Sequence, residues 1–194
     1  AREAGGTAER SRPESGWTRL RDRMRDASAL HPRLRRPRAY LNWLRANYEL
    51  LTRAGTIHAR PLKLTFDPTN YCQLRCPLCP TGARVQDRDR GRAQRHVFEH
   101  LMDEVGDYVF LIDFFNWGEP LLNEYAEELV SMASRRGILT FLSSNLSIPM
   151  ADARVGRLVD SGLSQLIVSL DGATAETYGT YRRQGRFDLV IENM

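Results

Sequence analysis

The alternation of apolar and polar residues after residue 60 predicts a repeating strand and helix architecture. Segment 62–66 alternates apolar with polar side chains, which is typical of a strand. Segments 108–115, 138–142 and 166–170 are almost wholly apolar, as expected of strands that are buried on both faces of a parallel sheet. Amphipathic helices are predicted between these strands, near 96–105, 124–135 and 150–161.

The spacing of these elements indicates the fold class. Gly137 and Gly162 stand directly after two of the predicted helices, where C-terminal caps belong. Strand and helix units that repeat about every 30 residues predict a parallel α/β fold, wound as an open sheet or closed toward a barrel. A further amphipathic helix begins at Phe187, close to the last residue, Met194. Because four strands complete no barrel, we expect the chain to be the front portion of a longer protein.

The first 60 residues have a different character. Residues 1–36 are rich in arginine and interrupted by proline and glycine, so we expect a disordered arm there. Residues 37–55 form an amphipathic pattern that predicts a helix. We expect its apolar face to pack on the following domain, and the alternative is that this face lies on a membrane. That face carries Tyr40, Leu41, Leu44, Tyr48 and Leu51.

The net charge of +4 hides an uneven distribution. Residues 1–60 carry 14 arginines and 6 acidic residues, a surplus of +8, whereas residues 61–194 carry −4. An arginine-rich arm raises the hypothesis of an RNA-binding module. We favour a solvated segment and expect no nucleic-acid partner, because no aromatic residues lie among the arginines at stacking intervals.

Several functional classes are excluded or weakened by what the sequence lacks. Lys63 is the only lysine and is followed by Leu64, so there is no Walker A loop. No segment approaches the ~20 apolar residues of a membrane span, and the first 36 residues hold no apolar signal-peptide core. Three cysteines within eight residues cannot form a disulfide framework. They indicate a metal or cluster site in a reducing cytoplasm.

The cysteines form a C-x3-C-x2-C motif directly after the first predicted strand. Cys72, Cys76 and Cys79 on one loop can hold three corners of a metal cluster and leave one coordination position open. A structural zinc site made from the same cysteines and a histidine such as His96 is the alternative.

This motif and its setting resemble the radical S-adenosylmethionine (SAM) superfamily. The resemblance covers residues 60–194 as a core domain and implies part of a TIM-like (β/α)6 barrel. It implies a 4Fe–4S cluster on Cys72, Cys76 and Cys79, an open iron that binds SAM, and reductive cleavage of SAM to a 5′-deoxyadenosyl radical. That radical would abstract hydrogen from a substrate.

Further positions are implied by the resemblance. The sequence Asn116-Trp-Gly-Glu-Pro120 is similar to the family's Gly-Gly-Glu-Pro, in which backbone and acidic side chain receive the SAM ammonium. Gly118 and Glu119 match it, whereas Trp117 replaces the first glycine. The strand-end residues Asn145 and Ser169, together with Arg182, are the candidates for the ribose and carboxylate of SAM. Leu78 stands where many members carry an aromatic residue near the adenine.

The segment 169–178 is most similar to members that carry a C-terminal SPASM domain. This implies a peptide or cofactor-precursor substrate, or another small molecule, and a reductant such as flavodoxin or ferredoxin.

One competing motif belongs to another class of protein, the zinc peptidases. His96-Val-Phe-Glu99-His100 matches the H-x-x-E-H zinc peptidase pattern, in which both histidines bind zinc and Glu99 acts as the general base.

Overall fold

A computed structural model of the chain describes residues 36–85 and 89–194. The expected disordered arm and the RNA-binding hypothesis therefore lie outside the described residues, apart from Arg36. The guanidinium of Arg36 donates hydrogen bonds to the carbonyls of Gly106 and Val109. These bonds connect the start of the first helix to the loop before the second strand.

The described elements alternate as the hydrophobic pattern predicts. In chain order they are α1 (Pro37–Leu51), β1 (Lys63–Thr65), α2 (Arg95–Val105), β2 (Leu111–Asp113), a 3₁₀ turn (Pro120–Leu122), α3 (Ala126–Arg135), β3 (Leu139–Ser144), α4 (Asp152–Asp160), β4 (Gln165–Val168), α5 (Ala175–Tyr181) and α6 (Phe187–Asn193).

The four strands form one parallel sheet in the order β1-β2-β3-β4. Leu64 lies opposite Ile112, and Leu142 opposite Leu166. This arrangement confirms the α/β class, and the sheet with its helices is part of a barrel. The apolar run 108–115 is longer than strand β2, because only residues 111–113 pair with both neighbouring strands.

The core lies between the sheet and the helices. Ile112, Phe114 and Leu142 are fully buried on the helix-covered face. The ring of Phe98 from α2 packs against Phe66 and Phe114, with centroid distances of 4.7 and 5.5 Å. Gly137 and Gly162 adopt φ angles of 73° and 83°, which confirms the predicted caps, since this left-handed region favours glycine.

Helix α1 buries Ala39, Asn42 and Glu49 against the described part of the chain, whereas the apolar face that we expected to pack there is exposed, so that expectation is wrong. Asn42 exchanges hydrogen bonds with the backbone of Arg60 at 2.7 and 3.0 Å, and Glu49 accepts from the backbone N–H groups of His58 and Ala59. Two of the five apolar residues, Tyr48 and Leu51, are 68% and 84% exposed in the described structure. The unpaired backbone of 58–60 needs hydrogen-bond partners, and the polar face of α1 supplies them.

None of the helices in residues 36–85 and 89–194 combines the length and the apolar character that are needed to cross a lipid bilayer.

Candidate active site

The cysteine loop follows β1 at the carboxyl edge of the sheet, where parallel α/β folds bind their ligands. Cys76 is buried, Cys72 and Cys79 are partly buried, and all three are free thiols. The backbone N–H of Cys79 donates to the carbonyl of Cys76 at 3.2 Å, so the second half of the motif is a tight turn. Gly82 closes this turn, because a Cβ there would stand 2.6 Å from the backbone nitrogen and oxygen of Cys76.

The segment after β2, at Gly118, lies in close contact with the beginning of the cysteine loop, at Thr69. A Cβ at Gly118 would lie 1.7 Å from the carbonyl oxygen of Thr69, so only glycine fits this approach. The carboxylate of Asp67 accepts from the backbone N–H groups of Trp117 and Gly118 at 3.2 and 3.3 Å. Trp117 has no positive φ, and its side chain is 41% exposed. Its replacement of the family's first glycine is therefore accommodated by an ordinary backbone conformation.

Glu119 is buried and hydrogen-bonded to three groups of the chain. One carboxylate oxygen accepts from the Ser144 hydroxyl at 2.7 Å and from the Leu121 N–H at 3.1 Å. The other oxygen accepts from the Asn145 N–H at 2.9 Å. Burial raises the pKa of Glu119, and these donors, together with the positive charge of Arg182, oppose that rise. The residue connects the segment after β2 to the end of β3.

Asn145 lies between the cysteine loop and the turn after β3. Its side-chain amide nitrogen is 3.5 Å from the Cys72 sulfur, and its amide oxygen accepts from the side chain of Gln73 at 2.9 Å. The backbone N–H of Leu74 also points at the Cys72 sulfur, at 3.4 Å. The structure thus brings Asn145 to the predicted metal ligands.

Ser169 and Arg182 lie at the end of β4 and after α5. The hydroxyl of Ser169 is 3.2 Å from that of Ser143 on the neighbouring strand. Arg182 pairs with Asp171, and one of its terminal nitrogens is 3.9 Å from the Cys76 sulfur. The Nε of Arg182 is buried without a hydrogen-bond partner in the structure. A buried donor of this kind is available to an acceptor that binds at the site.

The surroundings of the Cys72 and Cys76 thiols shift their pKa values in opposing directions. Burial raises the pKa of Cys72 to about 12 and also raises the pKa of Cys76. The positive charge of Arg182 opposes the rise at Cys76, and the Leu74 N–H opposes it at Cys72. Metal ligation requires thiolates, so loading of this site would release protons.

This donor set fits an iron–sulfur cluster. Three thiols share one loop, and N–H groups face two of the sulfurs, as is common around cluster thiolates. Within residues 36–85 and 89–194, no three His, Cys, Asp or Glu side chains lie close enough to ligate a single ion. A cluster has no such need, because its thiolates bind different iron atoms.

The histidines of the competing peptidase motif lie elsewhere, on α2. Both His96 and His100 are exposed, and His100 is 3.3 Å from Glu104. Glu99 pairs with Arg95 at 3.0 Å. The structure does not bring these residues to the cysteine loop.

Comparison with known proteins identifies the class to which this fold and site belong. Residues 66–194 match the Radical SAM superfamily, and the chain belongs to that family. The chain is 29% identical over 132 residues to the AdoMet-dependent heme synthase of Methanosarcina barkeri, covering 68% of this chain and 37% of that protein. It is 27% identical over 134 residues to the PqqA peptide cyclase of Bradyrhizobium diazoefficiens, covering 68% and 35%. The chain therefore spans about a third of the length of these relatives.

A solved structure shows the same fold. The crystal structure of Streptococcus suis SuiB bound to its precursor peptide SuiA matches with a TM-score of 0.59 at 18% identity, covering 79% of this chain and 34% of that one. The resemblance to SPASM-type members agrees with the peptide cyclase among the relatives.

Some residues of the site could not be recognised from the sequence. Gln73 lies between two cysteines, and nothing in its sequence context signals its contact with Asn145. Nothing in the sequence points to Ser147 either, whereas Asp67 directly follows a predicted strand, a position that often faces a ligand. Such contacts join segments that are 50 or more residues apart.

Proposed function

We propose that this chain holds a 4Fe–4S cluster on Cys72, Cys76 and Cys79 and binds SAM beside it, as part of a radical SAM enzyme. The observation that carries the proposal is the convergence of three distant segments on the cysteine loop after β1, namely the segment after β2, the end of β3 and the residue after α5. Asn145 from the end of β3 and Arg182 from beyond β4 both direct nitrogen atoms at its sulfurs. Family membership supports the same conclusion.

Contacts within the site support the role that we propose for each residue. The cluster, when bound and reduced, supplies the electron that cleaves SAM to methionine and a 5′-deoxyadenosyl radical. The Gly118 backbone and the buried charge of Glu119 provide the place for the SAM ammonium. Asn145 and Ser169 offer polar groups to the ribose, and the unpartnered Nε of Arg182 offers a donor to the SAM carboxylate.

The substrate that we propose is a peptide or a cofactor precursor. Support comes from the names of similar proteins, a PqqA peptide cyclase and SuiB bound to its precursor peptide. We further propose that the enzyme acts in the cytoplasm and receives electrons from a flavodoxin or a ferredoxin, since reductive cleavage requires a low-potential donor.

Anaerobic reconstitution of the chain with iron and sulfide tests the central claim. We expect about four irons and four sulfides per chain, and a SAM-dependent change in the electron paramagnetic resonance (EPR) spectrum of the reduced cluster. Cys72→Ala, Cys76→Ala and Cys79→Ala should each abolish cluster formation. A longer protein that contains this chain should, when reduced, release 5′-deoxyadenosine from SAM.

A matched control separates the zinc and peptidase alternatives. The double variant His96→Ala/His100→Ala removes two exposed side chains, so its cluster content should equal that of the wild type and its stability should change by less than about 0.5 kcal/mol. Tightly bound zinc without sulfide, lost in this variant or in the cysteine variants, would overturn the proposed function.

A further inference from the structure

Gln73 has no assigned role, yet its side chain is part of a hydrogen-bonded chain that reaches a cluster ligand. Its amide nitrogen donates to the Asn145 side-chain oxygen at 2.9 Å and to the Ser147 carbonyl at 3.1 Å. The Asn145 amide nitrogen in turn lies 3.5 Å from the Cys72 sulfur. Three groups are thus aligned from the turn after β3 to the first cysteine.

The backbone of Ser147 bonds to both amides, and its N–H and the Gln73 side chain both donate to the Asn145 amide oxygen. Its N–H donates to the Asn145 amide oxygen at 2.9 Å, and its carbonyl accepts from Gln73. A backbone N–H can only donate and a carbonyl can only accept, so neither amide can be reversed without losing a bond. The nitrogen of the Asn145 amide must therefore face the sulfur.

Hydrogen bonds from helix α6 hold the turn that contains Asn145 and Ser147. Leu146 is fully buried at φ 50°, a left-handed conformation that is unusual for leucine and places Asn145 and Ser147 beside the same partner, Gln73. Asn193 of α6 donates at 2.8 Å to the carbonyls of Leu146 and Ile148. Strained backbone persists where the surrounding structure holds it, and this is common at functional sites.

We propose that Gln73 is a positioning residue that fixes the Asn145 amide as a hydrogen-bond donor to the Cys72 sulfur and thereby raises the reduction potential of the cluster. This inference rests on the proposed function. Donors to a cluster thiolate stabilise the reduced state, which carries one more negative charge. The Gln73 amide oxygen is 3.5 Å from the same sulfur and accepts only while Cys72 is a thiol. After ligation the N–H groups of Asn145 and Leu74 remain as donors.

The variant Gln73→Met keeps the length of the side chain and adds no charge. Without SAM, we expect the midpoint potential of the reconstituted cluster, measured by EPR at controlled potentials, to become more negative. The expected change is about threefold to tenfold in the reduction equilibrium, which is at most about 59 mV for one electron. Asn145→Leu should shift the potential in the same direction and by at least as much.

The control is Asn70→Ala, which removes another side-chain amide from the same loop. The Asn70 amide bonds to the backbone of Asp89 and Gly91 and to no sulfur in the described structure. The potential of this variant should equal that of the wild type. The double variant of Gln73 and Asn145 should shift no further than Asn145→Leu alone, because both changes act through one bond.

The outcomes separate this inference from the proposed function. Absence of a cluster in the wild-type protein overturns the function. A full cluster in Gln73→Met with an unchanged potential, or a double variant whose shift is the sum of the two single shifts, overturns the positioning role.

Discussion

The carboxylate of Glu119 accepts a hydrogen bond from the backbone N–H of Asn145 at 2.9 Å, across the gap between neighbouring strand ends. The same carboxylate accepts from the Ser144 hydroxyl and the Leu121 N–H. Glu119 thus positions Asn145, which contacts both Gln73 and Cys72. An acidic residue predicted to receive a ligand is also a structural link within the site.

Replacing Glu119 by alanine should therefore affect both stability and SAM binding. Three buried donors would lose their acceptor, and we expect the free energy of unfolding of the metal-free protein to fall by about 2–5 kcal/mol in urea denaturation. SAM affinity of the reconstituted protein should fall about 10- to 150-fold. Glu124→Ala, which removes an exposed carboxylate nearby, is the control. Unchanged SAM affinity in Glu119→Ala would contradict the assignment.

Gly118→Ala should prevent cluster assembly. The added Cβ would stand 1.7 Å from the Thr69 carbonyl oxygen, so the cysteine loop or the segment after β2 must move. Iron and sulfide content after reconstitution measures the effect. In Gly91→Ala nothing lies within 4 Å of the new Cβ, and cluster content should match the wild type. Equal cluster content in both variants would show that this close approach is dispensable.

Arg182→Lys should weaken SAM binding while the cluster still forms. Arginine reaches Asp171 and the Cys76 sulfur with its terminal nitrogens and has Nε left over. Lysine has a single side-chain nitrogen, so it cannot contact Asp171, the Cys76 sulfur and a SAM carboxylate at the same time. We expect a loss of at least about tenfold in SAM affinity, measured by equilibrium binding. The exposed neighbour gives the control Arg183→Lys, and a similar loss there would argue against a specific role for Arg182.

Glu49→Gln should weaken the attachment of α1 in a pH-dependent way. Burial acts to raise the pKa of Glu49, but the N–H donors of Ala59 and His58 and the charges of Arg45 and His58 together outweigh it, so the net pKa lies below the ordinary 4.5. A lowered pKa means that the carboxylate stabilises the fold above pH 4.5, and that this contribution disappears as the pH falls through the lowered value.

Urea midpoints of the wild type and Glu49→Gln, measured from pH 7 downward, check this expectation. The difference between them should shrink as the pH falls below about 4.5, through the lowered pKa of Glu49. Glu192→Gln alters an exposed glutamate on another helix and should show little difference at any pH. A difference between the wild type and Glu49→Gln that does not change with pH would contradict the role of the charge.

Local chemistry accounts for what the sequence by itself determined. The alternating pattern of 62–66 predicted β1, and the apolar runs predicted β2, β3 and β4, because apolar side chains are buried where helices cover a parallel sheet. Gly137 and Gly162 marked helix ends, because they adopt φ angles that other residues avoid. The cysteine motif, with its three donors on one loop, indicated the site chemistry before any fold was known.

Contacts between distant segments required the tertiary structure. The apolar pattern of α1 predicted its helix but not the side that it presents, because Asn42 and Glu49 accept hydrogen bonds from the backbone of 58–60 and these bonds decide that orientation. Gln73 reaches Asn145 across 72 positions of sequence, and such a pairing leaves no periodic signal. Residue types and their spacing therefore identified the family, whereas the orientation of each side chain depended on partners that only folding brings together.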